Sequence, residues 1–129
     1  MIEEQIRYRI QRAKETYGDA ILLFEKGSWN SSINRLYYSA FYVAIALLLH
    51  LGLEVKSHNG VKRKLGELVV AGRLNIEQAR IYGILSDLRN KGDYDDLFDF
   101  DKEMVERLLG PVKNFIVGIE ELIEGSKTV

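Results

Sequence analysis

Within the stretch Ser86-Asp-Leu-Arg-Asn-Lys-Gly-Asp-Tyr94 a guanidinium, an amide, two carboxylates and a phenol fall close together. An arginine fork takes two phosphate oxygens at once, and a neighbouring amide or phenol adds hydrogen bonds to the same anion. Arg89, Asn90, Asp93 and Tyr94 are therefore candidate ligand-binding residues for a phosphate-containing molecule. Ile81, Leu85 and Leu88 precede them at helical spacing, and Gly92 offers a stop. That spacing predicts Arg89 and Asn90 in a last helical turn and Asp93 and Tyr94 in a short irregular link. The bland alternative is that Arg89 pairs with Asp93 four residues on and merely finishes the helix.

A second cluster has similar chemistry. Tyr37, Tyr38 and Tyr42 follow one another along one apolar segment, and Arg35 lies three residues before Tyr38, on the same helical face. Packing accounts for such tyrosines, because the ring fills volume while the hydroxyl reaches a partner. An arginine beside them also makes Arg35 and Tyr38 candidate phosphate contacts. The two histidines, His50 and His58, lack the spacing of a zinc site. The acidic run Asp93 to Glu103 lacks the pattern of a calcium loop, since the sixth position from Asp93 is Phe98 and the twelfth is Met104. Neither a metal site nor a cofactor is expected. With no cysteine, the chain has no thiolate nucleophile and no disulfide framework.

These groups need elements to hold them. A chain of 129 residues accommodates one domain with its own core, and 47% hydrophobic residues with a single proline suit a helical globule. The net charge of −1 gives no bulk attraction for nucleic acid. Ile6, Ile10, Ala13, Tyr17, Ala20 and Phe24 make residues 2–26 one amphipathic helix, ended by Gly27. Ser28 or Asn30 caps a second helix running to about Leu51 and Gly52.

That second helix is apolar nearly all round, so a membrane span has to be weighed. Asn34, Arg35, Ser39 and His50 break the run that a span needs, and burial in the bundle and against a second subunit fits better. Ser57 caps a third helix from His58 to about Ala71, and Asn75 with Gln78 resembles a capping box opening the fourth. Asp99 or Asp101 caps a last long helix expected to kink near Pro111. No segment keeps the period of two that a strand requires. The expected fold is an all-α, up-and-down bundle of about five helices. The charged N-terminus has no signal-peptide pattern, so a cytoplasmic location is the expectation.

Arg35-Leu-Tyr-Tyr-Ser-Ala-Phe-Tyr42, Ser57-His-Asn-Gly-Val61, Val70-Ala-Gly-Arg-Leu74 and Leu88-Arg-Asn-Lys-Gly-Asp-Tyr94, in this order and spacing, resemble the HEPN domain family over residues 1–129. The closest likeness is to small stand-alone prokaryotic members often paired with a minimal nucleotidyltransferase. The resemblance implies a homodimer and a motif of arginine, a polar residue, and a histidine four to six residues beyond the arginine. In ribonuclease members two such motifs meet across the dimer and cut RNA without a metal. Arg89 and Asn90 match the first two positions, but Tyr94, Asp95 and Asp96 stand where the histidine should fall.

A phenol with a pKa near 10 or a carboxylate near 4 is poorly placed for proton transfer at neutral pH, and such a loss removes on the order of 10² to 10⁴ in rate. The resemblance also implies toxin and antitoxin pairs in which the transferase modifies a tyrosine near the motif. Tyr94 is the candidate acceptor by proximity, although the matching position holds Asp96. The expected function is a nucleotide- or RNA-binding partner of a nucleotidyltransferase, catalytically weak or inactive. The alternatives are a metal-independent endoribonuclease toxin, with Arg89 and Tyr94 as its candidate catalytic residues, and a purely structural oligomerisation module.

Overall fold

The computed structural model describes residues 1–55, 57–94 and 98–125, with the side chain of Tyr94 outside the described residues. Five helices follow one another: α1 (Ile2–Glu25), α2 (Trp29–His50), α3 (His58–Val70), α4 (Ile76–Tyr94) and α5 (Lys102–Gly125). Among the described residues there is no strand, and the architecture is an all-α helical bundle. α2 is its axis, packing against each of the other four helices. This helix is long and apolar enough to cross a membrane, but 61% of its apolar window is buried inside the bundle, which is the behaviour of a core helix.

The helix ends follow from local chemistry. Gly27, Gly52 and Gly72 take positive φ just after α1, α2 and α3, the left-handed turn that glycine enters without Cβ strain. Asn75 Oδ1 accepts from Glu77 N at 2.7 Å while Gln78 Oε1 accepts from Asn75 N at 3.3 Å, closing a reciprocal cap on α4. Asp101 Oδ1 accepts from Met104 N at 2.9 Å and caps α5. Asp99 instead receives the amide of Asn30, whose own oxygen accepts from Phe100 N at 2.8 Å. The link before α5 is thereby tied to the start of α2. α5 continues through Pro111 as one helix.

Two expectations need correcting. Gly92 does not end α4, which runs on to Tyr94, so Asp93 and the backbone of Tyr94 belong to the helix rather than to an irregular link. A Cβ at Gly92 would lie 2.8 Å from Phe100 Cε2, so this glycine makes room for the buried Phe100 ring. Moreover, the buried face of α4 is centred on Tyr82, Leu85 and Ser86, with Ile81 and Leu88 only half-buried. Polar side chains occupy the inner face where an all-apolar stripe was expected.

Candidate functional site: an arginine and a histidine on a buried tyrosine

Tyr82, Ser86, Arg89 and Asp93 recur at spacings of four, three and four, so they share one face of α4. That face meets α2 at Tyr37 and Tyr38. The Arg89 guanidinium carbon sits 5.3 Å from the Tyr37 ring centre and 5.6 Å from that of Tyr38, within cation–π range of both. Its side chain is only 17% exposed. Nε lies 3.2 Å from Asp93 Oδ2, but its N–H is not aimed at that oxygen, so the contact is an ion pair without a hydrogen bond. Arg89 makes no other polar contact among the described residues. A guanidinium with five donors is thus held in place by ring faces and one carboxylate, with its hydrogen-bonding capacity nearly intact.

Arg35 extends the cluster. Its guanidinium carbon stands 5.2 Å from the Tyr38 ring centre, and Nη2 donates to Asn34 Oδ1 at 2.7 Å. The structure therefore brings Arg35, Tyr38, Arg89 and Asp93 together. Asn90 is one position round the helix, exposed and without a hydrogen bond among the described residues. The side chain of Tyr94, and all of Asp95 and Asp96, lie outside the described residues.

Sequence reasoning left His58 unplaced, and the structure puts it beside this cluster. Its Nδ1 is 2.7 Å from Tyr37 Oη, which in turn lies 3.3 Å from Tyr82 Oη. The imidazole stacks on Phe41 at 4.5 Å and stands 5.9 Å from the Tyr38 ring centre. Local chain chemistry aims it there. Ser57 Oγ accepts from Gly60 N and starts α3, and a Cβ at Gly60 would meet Val55 Cγ1 at 2.7 Å, so the incoming link folds tightly over the first turn. Desolvation, then the positive charge of Arg89, holds the His58 pKa below its usual value, leaving the ring neutral at pH 7. Burial raises the pKa of Tyr37 above its usual phenol value and that of Tyr82 far above it.

With both phenols protonated, the orientation of the chain can be worked out. If Tyr82 donates to Tyr37 and Tyr37 donates to His58 Nδ1, every hydroxyl proton has an acceptor. The reverse direction leaves the Tyr82 proton without one inside the core, at a cost of about 1–3 kcal/mol. The neutral imidazole therefore carries its proton on Nε2, which makes no hydrogen bond among the described residues.

A compact bundle with an arginine near the end of its fourth helix, set on tyrosines of the second, can now be placed among known proteins. Residues 6–122 match the family model described as HEPN domain. The chain belongs to the HEPN domain family. It is similar to a Thermotoga maritima protein named UPF0332 protein, at 37% identity over 126 residues that cover 97% of this chain and 96% of the relative. Two Methanocaldococcus jannaschii proteins, each named "Putative toxin", are also similar. MJ0605 is 36% identical, covering 72% of this chain and 70% of its own, and MJ0142 is 28% identical, covering 81% and 76%. Within this HEPN chain Arg89 of α4 and His58 of α3 meet the same two rings, Tyr37 and Tyr38.

Proposed function

We propose that this HEPN chain binds an RNA or nucleotide phosphate at Arg89 as the HEPN half of a toxin–antitoxin-like pair. It works as a cytoplasmic homodimer with a minimal nucleotidyltransferase as partner. Arg89, Asn90, Asp93 and Tyr94, with Arg35 and Tyr38 alongside, form the ligand contacts, and no cofactor takes part. The observation that carries this reading is the state of Arg89: fixed on two tyrosine rings, 17% exposed, and with no hydrogen-bond acceptor among the described residues. Such a guanidinium is preorganised for a phosphate, because its position is set before the ligand arrives. The names of the two toxin-like relatives support the pairing.

The test is binding of a 2′-O-methyl oligouridine, which lacks the hydroxyl that RNA cleavage requires, followed by fluorescence anisotropy. Arg89→Ala is expected to weaken binding at least tenfold and to lower the salt slope by about one, as loss of one phosphate contact should. Unchanged affinity in that variant refutes the reading. Co-purification with a minimal nucleotidyltransferase encoded beside it tests the partner.

A second reading, a metal-independent endoribonuclease toxin, is favoured by one observation, the imidazole of His58 beside Arg89. Incubation with unmodified RNA in EDTA separates the two. Cleavage leaving cyclic phosphate ends and lost in Arg89→Ala decides for the nuclease.

A further inference from the structure

His58 and Arg89 approach one pair of rings from two different helices. Both lie within 6 Å of the ring centres of Tyr37 and Tyr38. The imidazole is anchored on one side only: Nδ1 is taken by Tyr37, itself backed by Tyr82, whereas Nε2 has no hydrogen-bond partner among the described residues. Stacking on Phe41 fixes the ring plane. As the first residue of α3, His58 also stands where backbone N–H groups are unpaired and an anion is favoured. An immobilised imidazole with one nitrogen engaged and the other without a partner among the described residues, facing the same tyrosines as a guanidinium that has no acceptor among them, has the form of a two-point anion clamp.

We infer that His58 is a second ligand-contacting residue of the Arg89 site, held by Tyr37 and Tyr82 so that its Nε2–H donates to a phosphodiester oxygen of an RNA strand. This rests on the phosphate-binding reading above. Among the described residues, the charged and titratable groups on the elements round the ring are Tyr37, Tyr38 and Arg35 on α2, Tyr82, Asp87, Arg89 and Asp93 on α4, and Lys62 one turn along α3, paired with Asp87.

In the free protein Arg89 opposes a second positive charge at His58. A bound phosphodiester screens Arg89 and adds a negative charge beside Nε2, so protonation at Nδ1 becomes favourable. The proton comes from solvent, and Tyr37 then accepts from Nδ1 while donating to Tyr82, a reversal that leaves the Tyr82 proton without an acceptor among the described residues and that the charge of the bound phosphodiester has to offset. Binding is therefore coupled to uptake of one proton.

The experiment measures binding of 2′-O-methyl oligouridine, which has no group titrating between pH 5.5 and 8, by calorimetry in two buffers of different ionisation enthalpy. A parallel titration follows the imidazole C2 proton of His58 by NMR, assigned by its absence in His58→Gln. Expected are net proton uptake, severalfold tighter binding at pH 5.5 than at pH 8, and a rise of one unit or more in the His58 pKa on saturation. In His58→Gln the uptake disappears while Arg89-dependent binding persists, and His50→Gln keeps the uptake. Sulfate in place of the oligonucleotide tells whether any anion suffices. Oligonucleotide binding that needs Arg89 but leaves the His58 titration unmoved overturns this inference alone. No Arg89-dependent binding at any pH overturns the phosphate-binding reading itself.

Discussion

Removing one oxygen atom, in Tyr37→Phe, tests the physical account of the site most directly. The ring stays, so the volume in the core and the cation–π contact with Arg89 are kept. What goes is a hydroxyl with two partners, His58 Nδ1 at 2.7 Å and Tyr82 Oη at 3.3 Å. The half-buried imidazole can turn to water, so its loss costs little. Tyr82 cannot, because it is fully buried and Tyr37 is its only hydrogen-bond partner among the described residues. An orphaned buried hydroxyl costs about 1–3 kcal/mol, and Tyr37→Phe should destabilise the protein by that amount.

Tyr82→Phe leaves Tyr37 still bonded to His58, so it should cost less, about 0.5–1.5 kcal/mol, the net worth of one hydrogen bond. The double variant removes the orphan along with its partner, and should be no less stable than Tyr37→Phe alone. Urea unfolding at pH 7.5 with constant slope gives all three values. Additive losses, or a Tyr37→Phe cost below about 0.5 kcal/mol, would show that the hydroxyl chain is not the closed relay described here.

Gly92→Ala should lose stability, because the added Cβ meets the buried Phe100 ring at 2.8 Å and overpacking of this kind costs about 1–3 kcal/mol, more than the helix propensity gained. Gly66→Ala, in an exposed part of α3 with nothing within 4 Å of its Cβ, should instead gain about 0.5–1 kcal/mol, and the two urea midpoints move in opposite directions. Asn30→Ala strips Phe100 N of its acceptor and should cost about 1–2 kcal/mol by the same measurement.

The His58 pKa is lowered in the folded state, so between that value and about 6.5 the unfolded chain binds more protons and stability rises with pH. As pH falls through about 6.5 the protein should therefore lose stability. Between pH 7.5 and 5.5 the midpoint should fall more for wild type than for His58→Gln, and equal falls would exclude a depressed imidazole.

The bundle was legible because its determinants are local. Gly27, Gly52 and Gly72 each follow an apolar stripe and each takes the left-handed turn, and Asn75 with Gln78 closes a cap within four residues. Gly92 has the same sequence context and the opposite role, since what decides it is the Phe100 ring, which is folded back by Asn30 from the start of α2. The candidate site divides along the same line. Arg89 and Asp93 sit four apart on one helix, and Arg35 and Tyr38 three apart on another, so both pairs could be read from spacing. The contact of His58 with Tyr37 joins two helices and has no periodic signature, while Tyr82, counted by pattern alone, belonged to neither the apolar stripe nor the motif.

The cost of that buried polar chain bears on what it is for. Phenylalanine at 37 and 82 would fill the same core volume, keep the ring contact with Arg89, and avoid the burial of two hydroxyls, which is favourable only when every proton finds an acceptor. What the hydroxyls add and a phenyl ring cannot is a fixed orientation and a fixed tautomer for His58. The double Phe variant separates the two roles. If the relay serves only stability, that variant should bind oligouridine like wild type and show the same proton uptake. If it serves the site, the variant should fold, keep Arg89-dependent binding, and lose much of the preference for low pH, because an imidazole free to rotate no longer holds Nε2 against the phosphodiester.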